Sequence, residues 1–351
     1  MLGPTRPISR RPLTAAVAAL ALCAPPAHAA QQRLEPLRPP AFASSRAFPV
    51  RDTVRGSALS PRAAATIRAH AAGARFTTRD GISIPVEVSP AYKPDPAVEQ
   101  SYVTLLGNLV HGQELRSLHV FIATPKQIQG AFCGAGALAC YEGDNETMYV
   151  PGVAEKSNPP VQFLIAHEYG HHIERSRSNA PWAAFATGAK AWFTYAQVCT
   201  KMRAGKLGTG YWNDPSEGFA ESYADMNFPG IGFPFSRLMF PDQGSYQAIR
   251  ADVLLPWTSP HVLPFAGTFA PGARAPQSFQ VSTPFDGTAS FTLVPPARAD
   301  YRLQVLAAGK PIAKGGRGTT TIRQLCGART VTLQVTRVSG SGPFTLTASV
   351  P

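Results

Sequence analysis

The stretch VQFLIAHEYGHHIERS, residues 161–176, carries three histidines and two glutamates directly after an apolar run. His167 and His171 are four residues apart, so on a helix they lie one turn apart on the same face. Two imidazoles at this spacing can bind one metal ion, and Glu168 beside them can accept a proton from a water that the metal activates. The sequence therefore predicts a Zn²⁺ site with His167 and His171 as ligands and Glu168 as general base.

The helix that must carry these residues is predicted from its flanks. Pro159 and Pro160 stand where a helix can begin, because proline at the first turn loses no helical hydrogen bond. Gly170 interrupts an otherwise favourable run and costs about 1 kcal/mol relative to alanine. His172 lies one residue past the metal-binding face, so it is expected behind the ligands or at the surface.

A third ligand is expected from a second helix, in GYWNDPSEGFAESYADM, residues 210–226. Asp214 or Ser216 can cap this helix. Glu217, Glu221 and Asp225 then recur at four-residue spacing and form an acidic stripe, which an ordinary solvated helix face would also show. With one glutamate added to two histidines, a fourth position remains for water, as in catalytic zinc sites.

The combination of HEYGH and a later EGFAE resembles the gluzincin class of zinc peptidases. The resemblance implies that Glu217 binds the zinc ion. It also implies that Glu221 holds a ligand histidine, His167, by its other ring nitrogen, a contact that fixes the tautomer. The reverse assignment of the two glutamates stays open.

A tyrosine that stabilises the oxyanion is also implied by this class. Tyr211, six residues before Glu217, is similar to the tyrosine upstream of the corresponding helix in lethal-factor-like peptidases. Packing in the core is the alternative role for Tyr211. Tyr195 and Tyr223 are weaker candidates for the same function.

The segment FCGAGALACYEGDNETMYVPG, residues 132–152, precedes the histidine helix. Cys133 and Cys140 enclose a Gly/Ala loop that suits a small disulfide-closed turn, and TMYVPG is typical of a short strand. The arrangement is similar to the cysteine loop and following strand of bacterial neutral zinc metallopeptidases. The resemblance implies that Met148–Val150 lie along an extended substrate at a sheet edge, with a buried strand as the alternative.

The remaining elements of residues 76–258 predict an α+β, zincin-like metallopeptidase domain. GISIPVEVS and LHVFIA are typical of strands, and PAVEQSYVTLLGNLVHG of an amphipathic helix between them. The run PWAAFATGAKAWFTYAQVCTKMRAG, residues 181–205, predicts one long helix that ends near Gly205.

Residues 259–351 predict an all-β antiparallel sandwich. Short alternating segments such as GTASFTLVPP and ARTVTLQVTRVSG are separated by Gly, Pro and Ser turns. ADYRLQV and GPFTLTASV resemble the pre-peptidase C-terminal domains of secreted bacterial peptidases. No catalytic constellation is evident in this segment.

The N-terminus predicts export. Arg10 and Arg11 precede an apolar segment too short to span a bilayer, and Ala27 and Ala29 suit cleavage after residue 29. We therefore expect a signal peptide at 1–29, with the twin-arginine route open, and a secreted or periplasmic protein without a transmembrane anchor. The Pro-, Arg- and Ala-rich residues 30–75 predict a linker or pro-segment.

Cysteine usage agrees with an oxidising compartment. The chain has 5 cysteines, and Cys23 would leave with the signal peptide. Cys133 with Cys140 is the favoured pair. Cys199 with Cys326 follows only by elimination.

Charge is distributed unevenly along the chain, whose net charge is +12. Residues 76–258 carry 13 Lys/Arg against 17 Asp/Glu, whereas residues 1–75 carry 11 against 2 and residues 259–351 carry 9 against 2. Basic flanks suit contact with the cell envelope or an acidic polymer. No nucleic-acid-binding motif accompanies them.

Together these features predict a secreted zinc-dependent endopeptidase acting on protein or peptide substrates. A zinc hydrolase of a non-peptide bond is one alternative. A non-catalytic secreted binding protein with a structural zinc site is another.

Overall fold

Alternating and continuous apolar runs build a five-stranded sheet in the N-terminal half. The computed structural model describes residues 31–37, 60–154, 160–208, 210–231, 239–327 and 329–351. The first seven strands are β1 Gln32–Arg33, β2 Ala72–Thr77, β3 Ser83–Val88, β4 Tyr92–Lys93, β5 His119–Ala123, β6 Cys140–Glu142 and β7 Thr147–Pro151. The sheet has the order β2–β3–β5–β7–β6, with the three middle strands parallel and the outer two antiparallel to their neighbours. Its middle strands are buried, as parallel strands usually are.

The helices pack on this sheet and on one another. Their bounds are α1 Pro61–Ala69, α2 Pro96–Asn108, α3 Pro125–Gln127, α4 Val161–Arg175, α5 Ala184–Thr187, α6 Lys190–Tyr195, α7 Val198–Arg203, α8 Pro215–Asn227 and α9 Gln243–Leu254. Proline opens α8 and the side chain of Asp214 accepts a hydrogen bond from the Ser216 amide, so one of the predicted caps is present. No helix in the described ranges is long and apolar enough to cross a membrane.

The segment predicted as one long helix forms three short helices instead, and that prediction was wrong. Gly188 ends α5 with a φ of 87°, and a Cβ there would lie 2.5 Å from the Trp192 ring. Gln197 has a φ of 56° and separates α6 from α7. Left-handed residues cannot continue a right-handed helix, so the chain turns at both positions.

The prediction that Met148–Val150 form a sheet edge was also wrong for Met148 and Tyr149. β6 pairs with Thr147, Met148 and Tyr149, so β6 is the outer strand on this side. Met148, Tyr149 and Val150 are all buried, which matches the alternative of a buried strand.

Part of the predicted linker belongs to the folded body, whereas the predicted signal peptide, residues 1–29, lies outside the described residues. Ala64 of α1 is buried in an apolar cluster with Phe121, Phe132 and Tyr149. The Arg68 guanidinium lies 2.6 Å from Glu142 Oε2. Nearer the N-terminus, Leu34 is buried, and the Glu35 amide donates to the Gly152 carbonyl over 3.0 Å.

The C-terminal segment forms the predicted antiparallel sandwich. Its strands are β8 His261–Phe269, β9 Gln277–Ser282, β10 Gly287–Val294, β11 Asp300–Ala307, β12 Lys310–Gly315, β13 Gly318–Leu325, β14 Thr330–Ser339 and β15 Gly342–Val350. They form two four-stranded sheets, β13–β10–β15–β8 and β12–β11–β14–β9. Inward side chains of both sheets share one core, in which the Phe269 and Tyr301 rings meet at 5.0 Å.

The sandwich is attached to the helices through α6 and α7. Cys199 forms a disulfide with Cys326. The buried Lys190 ammonium donates to the Asp286 carbonyl over 3.1 Å, and the Asp286 amide donates to Thr194 Oγ1 over 3.0 Å. Burial lowers the pKa of Lys190 to about 8, although nearby acids oppose the shift. Residues 31–351 thus form a single compact unit in which the helices and the sandwich are joined.

We expect the packing of α1 to contribute to global stability. Ala64→Glu places a carboxylate in an apolar cluster and should lower the free energy of unfolding by about 3 kcal/mol or more. Ala65→Glu, on the exposed side of the same helix, should have little effect. Urea denaturation of both variants measures the difference. Equal stability of the two would show that α1 is not part of the cooperative unit.

Candidate metal centre

The close packing of α4 against α8 builds the centre. Fourteen of the fifteen residues of α4 are buried, including three histidines and two glutamates. A Cβ built on Gly170 would lie 2.8 Å from the Ala220 Cα, which is closer than two carbons can approach. Gly170 is therefore the residue that lets the two helix backbones come together, and this contact offsets its weak helix propensity.

Three side-chain atoms converge where the helices meet. Nε2 of His167 and Nε2 of His171 are 3.2 Å apart, and Glu217 Oε2 lies 3.4 Å and 3.5 Å from them. A tetrahedral zinc ion with bonds of about 2.0–2.1 Å requires its ligand atoms to be separated by about 3.3–3.4 Å. The three observed separations fit that requirement closely.

Glu217 stays ionised in its buried site because the two imidazoles lie beside it. Its Oε2 atom is buried, and within the described part of the chain it accepts no hydrogen bond of normal geometry. Burial alone would raise the pKa of Glu217, but the His171 and His167 imidazoles outweigh burial and lower the pKa to about 2. A carboxylate that stays ionised in a buried site requires positive charge beside it.

Glu168 belongs to the same cluster. It is 1% exposed, and one of its carboxylate oxygens lies within 4.8 Å of ligand atoms of His167 and His171. This His–Glu–His group can hold a metal ion. Glu217 Oε2 approaches both Nε2 atoms, so Glu217 is a further possible ligand of the same cluster.

A carboxylate that the sequence analysis missed orients His171. Glu174 Oε2 lies 2.9 Å from His171 Nδ1, and Ser216 Oγ donates to the same oxygen over 2.8 Å. Burial raises the pKa of Glu174 to about 7, although His171 and Ser216 oppose the shift. The i, i+3 spacing of His171 and Glu174 was the available sequence signal. With Nδ1 turned to Glu174, the Nε2 atom of His171 is the one presented to the cluster.

Glu221, which the resemblance assigns to the support of His167, approaches the other ring nitrogen of that histidine. Glu221 Oε1 lies 3.7 Å from His167 Nδ1, which is charge contact rather than a hydrogen bond. The Tyr211 hydroxyl donates to the same Glu221 oxygen. Tyr211 is thus near the centre but bonded to the supporting acid, so contact with a reacting oxygen would require this bond to open.

The other predicted residues lie elsewhere. His172 is completely buried and not at the surface. Its Nε2 lies 2.8 Å from the Glu114 carbonyl and its Nδ1 lies 2.9 Å from the Tyr141 hydroxyl. Burial lowers the pKa of His172, so the neutral ring is favoured. The Tyr223 hydroxyl donates to the Val110 carbonyl and that of Tyr195 to Asp242, so neither approaches the histidines.

Both disulfides considered from the sequence are present. Cys133 and Cys140 close the Gly/Ala loop with their Cα atoms 5.8 Å apart. Cys199 and Cys326 are joined with Cα atoms 5.5 Å apart. Two disulfides in one chain indicate an oxidising compartment.

Comparisons with known proteins give little support for a family assignment. No protein-family model and no curated protein matches the chain. Among solved structures, the Yersinia pseudotuberculosis-derived mitogen and the Aeromonas hydrophila periplasmic inhibitor of g-type lysozyme share 13% and 14% identity, each with a TM-score of 0.22. The pre-peptidase C-terminal domain of a Bacillus anthracis collagenase shares 12% identity with a TM-score of 0.21.

These likenesses concern only a small part of the chain. The first two structures each cover 26% of it and the third covers 24%, in each case over 87% of the other chain. Scores this low carry no argument about function. The chemistry of the centre therefore has to be argued from its own residues.

We expect Gly170→Ala to separate α4 from α8. Alanine stabilises the helix by about 1 kcal/mol through its higher helix propensity, but overpacking of its methyl group costs about 1–3 kcal/mol. The net effect is a loss of stability and of the ligand geometry. Zinc affinity, measured by competition with a chromogenic chelator, should fall. Gly130→Ala is the matched control, because a Cβ there meets nothing within 4 Å. Unchanged affinity in Gly170→Ala would contradict the close-packing argument.

We also expect Glu174→Gln to weaken metal binding without removing a ligand. Loss of the carboxylate on His171 should lower zinc affinity by about 10–100-fold. Glu142→Gln changes a partly buried glutamate that bonds to Arg68, and it should leave zinc affinity unchanged. If both variants bound zinc like the parent protein, Glu174 would have no role in orienting His171.

Proposed function

We propose that the chain is a zinc-dependent endopeptidase of the HExxH type that works in an oxidising compartment outside the cytoplasm. One observation carries the proposal: two imidazole nitrogens and one carboxylate oxygen form a buried triangle with sides of 3.2, 3.4 and 3.5 Å, with Glu168 beside it. Three protein donors are the number found in catalytic rather than structural zinc sites. The proposal includes a zincin-like arrangement of the sheet, α4 and α8.

Each residue of the centre has a distinct task. His167, His171 and Glu217 would hold the ion, which when bound lowers the pKa of water and polarises a carbonyl group. Glu174 fixes the orientation of His171, and Glu221, with the Tyr211 hydroxyl on it, supports His167. Glu168, the other acid of the cluster, would accept a proton from the attacking water and deliver it to the leaving nitrogen.

The burial of the centre suits this proton transfer. Glu168, His167 and Glu217 are 1%, 3% and 7% exposed. Low exposure strengthens the electrostatic interactions of these groups and limits side reactions with bulk water.

A peptide library that is incubated with the zinc-loaded protein tests the activity directly. Cleavage mapped by mass spectrometry, and abolished by the chelator ortho-phenanthroline, is the expected result. Cleavage that persists after the metal has been removed would refute a zinc peptidase. No cleavage by a protein that holds its zinc ion would favour a hydrolase of another bond or a non-catalytic binding protein.

The base is tested by Glu168→Gln. The variant should retain about one zinc ion per chain and lose peptidase activity by about 10²–10⁴-fold, because only the proton acceptor is removed. Glu87→Gln, on the exposed face of β3, should keep full activity. Loss of zinc together with activity would show instead that Glu168 is a ligand, and retained activity would exclude Glu168 as the base.

A further inference from the structure

A cleft of about 1160 Å³ lies between the helices and the sandwich, apart from the metal centre. One wall is formed by α6, α7 and the start of α9, and the other by loops of the sandwich. None of the histidines or glutamates of the metal centre lines it. Binding sites of small molecules typically enclose about 300–1,000 Å³ and often lie between domains, so this cleft has the size and position of such a site.

The two walls are fixed relative to each other. The disulfide between Cys199 and Cys326 joins them, and Cys326 itself lines the cleft. Nearby, Asp286 is held by the side chains of Lys190 and Thr194. A ligand would therefore meet a preformed cleft and would not have to order it, which lowers the cost of binding.

An exposed aromatic ring is held in place on the helical wall. Tyr195 is 46% exposed, yet its hydroxyl donates to Asp242 Oδ2 over 2.9 Å. The ring lies directly over Gly244, where a Cβ would be 2.1 Å from the Tyr195 hydroxyl oxygen. Gly244 thus provides the space in which the ring rests, and the other side of the ring is available to a ligand.

Unusual backbone conformations occur on both walls. Among the described residues, three that are not glycine have positive φ, and two of them, Gln197 at 56° and Ala308 at 48°, line this cleft. Such conformations are strained and are concentrated at functional sites. Gln197 directs its side chain from the helical wall, and Ala308 shapes the opposite one.

The polar groups of the cleft suit an uncharged ligand. Arg329 is the charged residue that lines it, and its guanidinium lies 2.9 Å from the buried Asp286 carboxylate. Gln197 and Gln247 line the cleft and are exposed. Each amide offers both donors and an acceptor to a ligand rich in hydroxyl groups.

A peptide is a poorer match for the same walls. The sandwich strands that reach the cleft are β11 and β14, and each is paired on both sides, β11 by β12 and β14, and β14 by β11 and β9. No free backbone edge of either strand is therefore offered to an extended peptide. The apolar lining consists largely of alanines such as Ala191 and Ala248, which form no deep pocket for a peptide side chain.

We propose that this cleft binds a neutral oligosaccharide, with one sugar ring stacked on Tyr195 and its hydroxyl groups bonded to Gln197 and Gln247. A sugar ring combines an aliphatic C–H face with a rim of hydroxyl groups, which matches a flat aromatic face bordered by amides. The inference goes beyond the proposed peptidase activity and does not depend on the metal centre.

The test is isothermal titration of the full chain with chitohexaose, cellohexaose, maltohexaose and xylohexaose. At least one should bind, and Tyr195→Ala should weaken that binding by about tenfold or more, as loss of a central aromatic contact does. Gly244→Ala, which displaces the ring, should have a similar effect. Trp212→Ala removes an exposed aromatic ring outside the cleft and should bind like the parent protein. Thermal unfolding of each variant separates loss of binding from loss of folding.

Two results would overturn the proposal. One is the absence of binding of all four oligosaccharides to the folded parent protein. The other is binding that Tyr195→Ala and Gly244→Ala leave unchanged although both variants are folded, because the sugar would then bind elsewhere.

Discussion

The contact between α4 and α8 at Gly170 and Ala220 is the constraint on which the candidate metal centre depends. Only when the two backbones are this close can a glutamate of α8 reach both imidazoles of α4. The cost is considerable, because a helix that is buried on all sides carries three histidines and two glutamates out of water. Desolvation of so many titratable groups opposes folding, and such groups are tolerated only where they bind one another or a cation. The buried triangle of His167, His171 and Glu217 satisfies this requirement.

The two histidines proposed as ligands, His167 and His171, are supported in different ways. His171 is oriented by Glu174 of its own helix, at hydrogen-bond distance, so its orientation depends little on how α8 moves. His167 is supported by Glu221 of α8, at the longer distance of 3.7 Å, and Tyr211 holds that acid from the chain before α8. Ser216 at the start of α8 donates to Glu174 and so connects the two arrangements. The ligand geometry is thus defined jointly by both helices, as a preorganised metal site requires.

The sequence predicted the parts of this molecule that depend on local spacing. HEYGH placed two imidazoles and an acid on one helix, and alternating segments predicted the inner strands of the sandwich. The edge strand β13 was also predicted, whereas the other three edge strands, β8, β9 and β12, were not; Pro264 interrupts the usual pattern in β8 and Pro311 interrupts it in β12. Glu174 was missed as well: its i, i+3 spacing from His171 is a weak local signal, and its contact with Ser216 is made only after α4 and α8 have packed. The breaks at Gly188 and Gln197 were hidden by an apolar run that suits one helix as well as three.

The same short helices connect the sandwich to the metal centre. Lys190 and Thr194 of α6 hold Asp286 of the sandwich, whereas Trp192 of the same helix packs edge-to-face on Phe219 of α8, with ring centroids 5.6 Å apart. Asp252 of α9 accepts hydrogen bonds from the amides of Ala191 and Trp192, which secures the start of α6. Phe219 lies between Glu217 and Glu221 in the sequence of α8. The side chains that anchor the sandwich and the one that packs on the helix of the proposed zinc ligand therefore come from the same short helix, two residues apart. For this reason the sandwich is better regarded as a structural support of the metal centre than as an independent appendage.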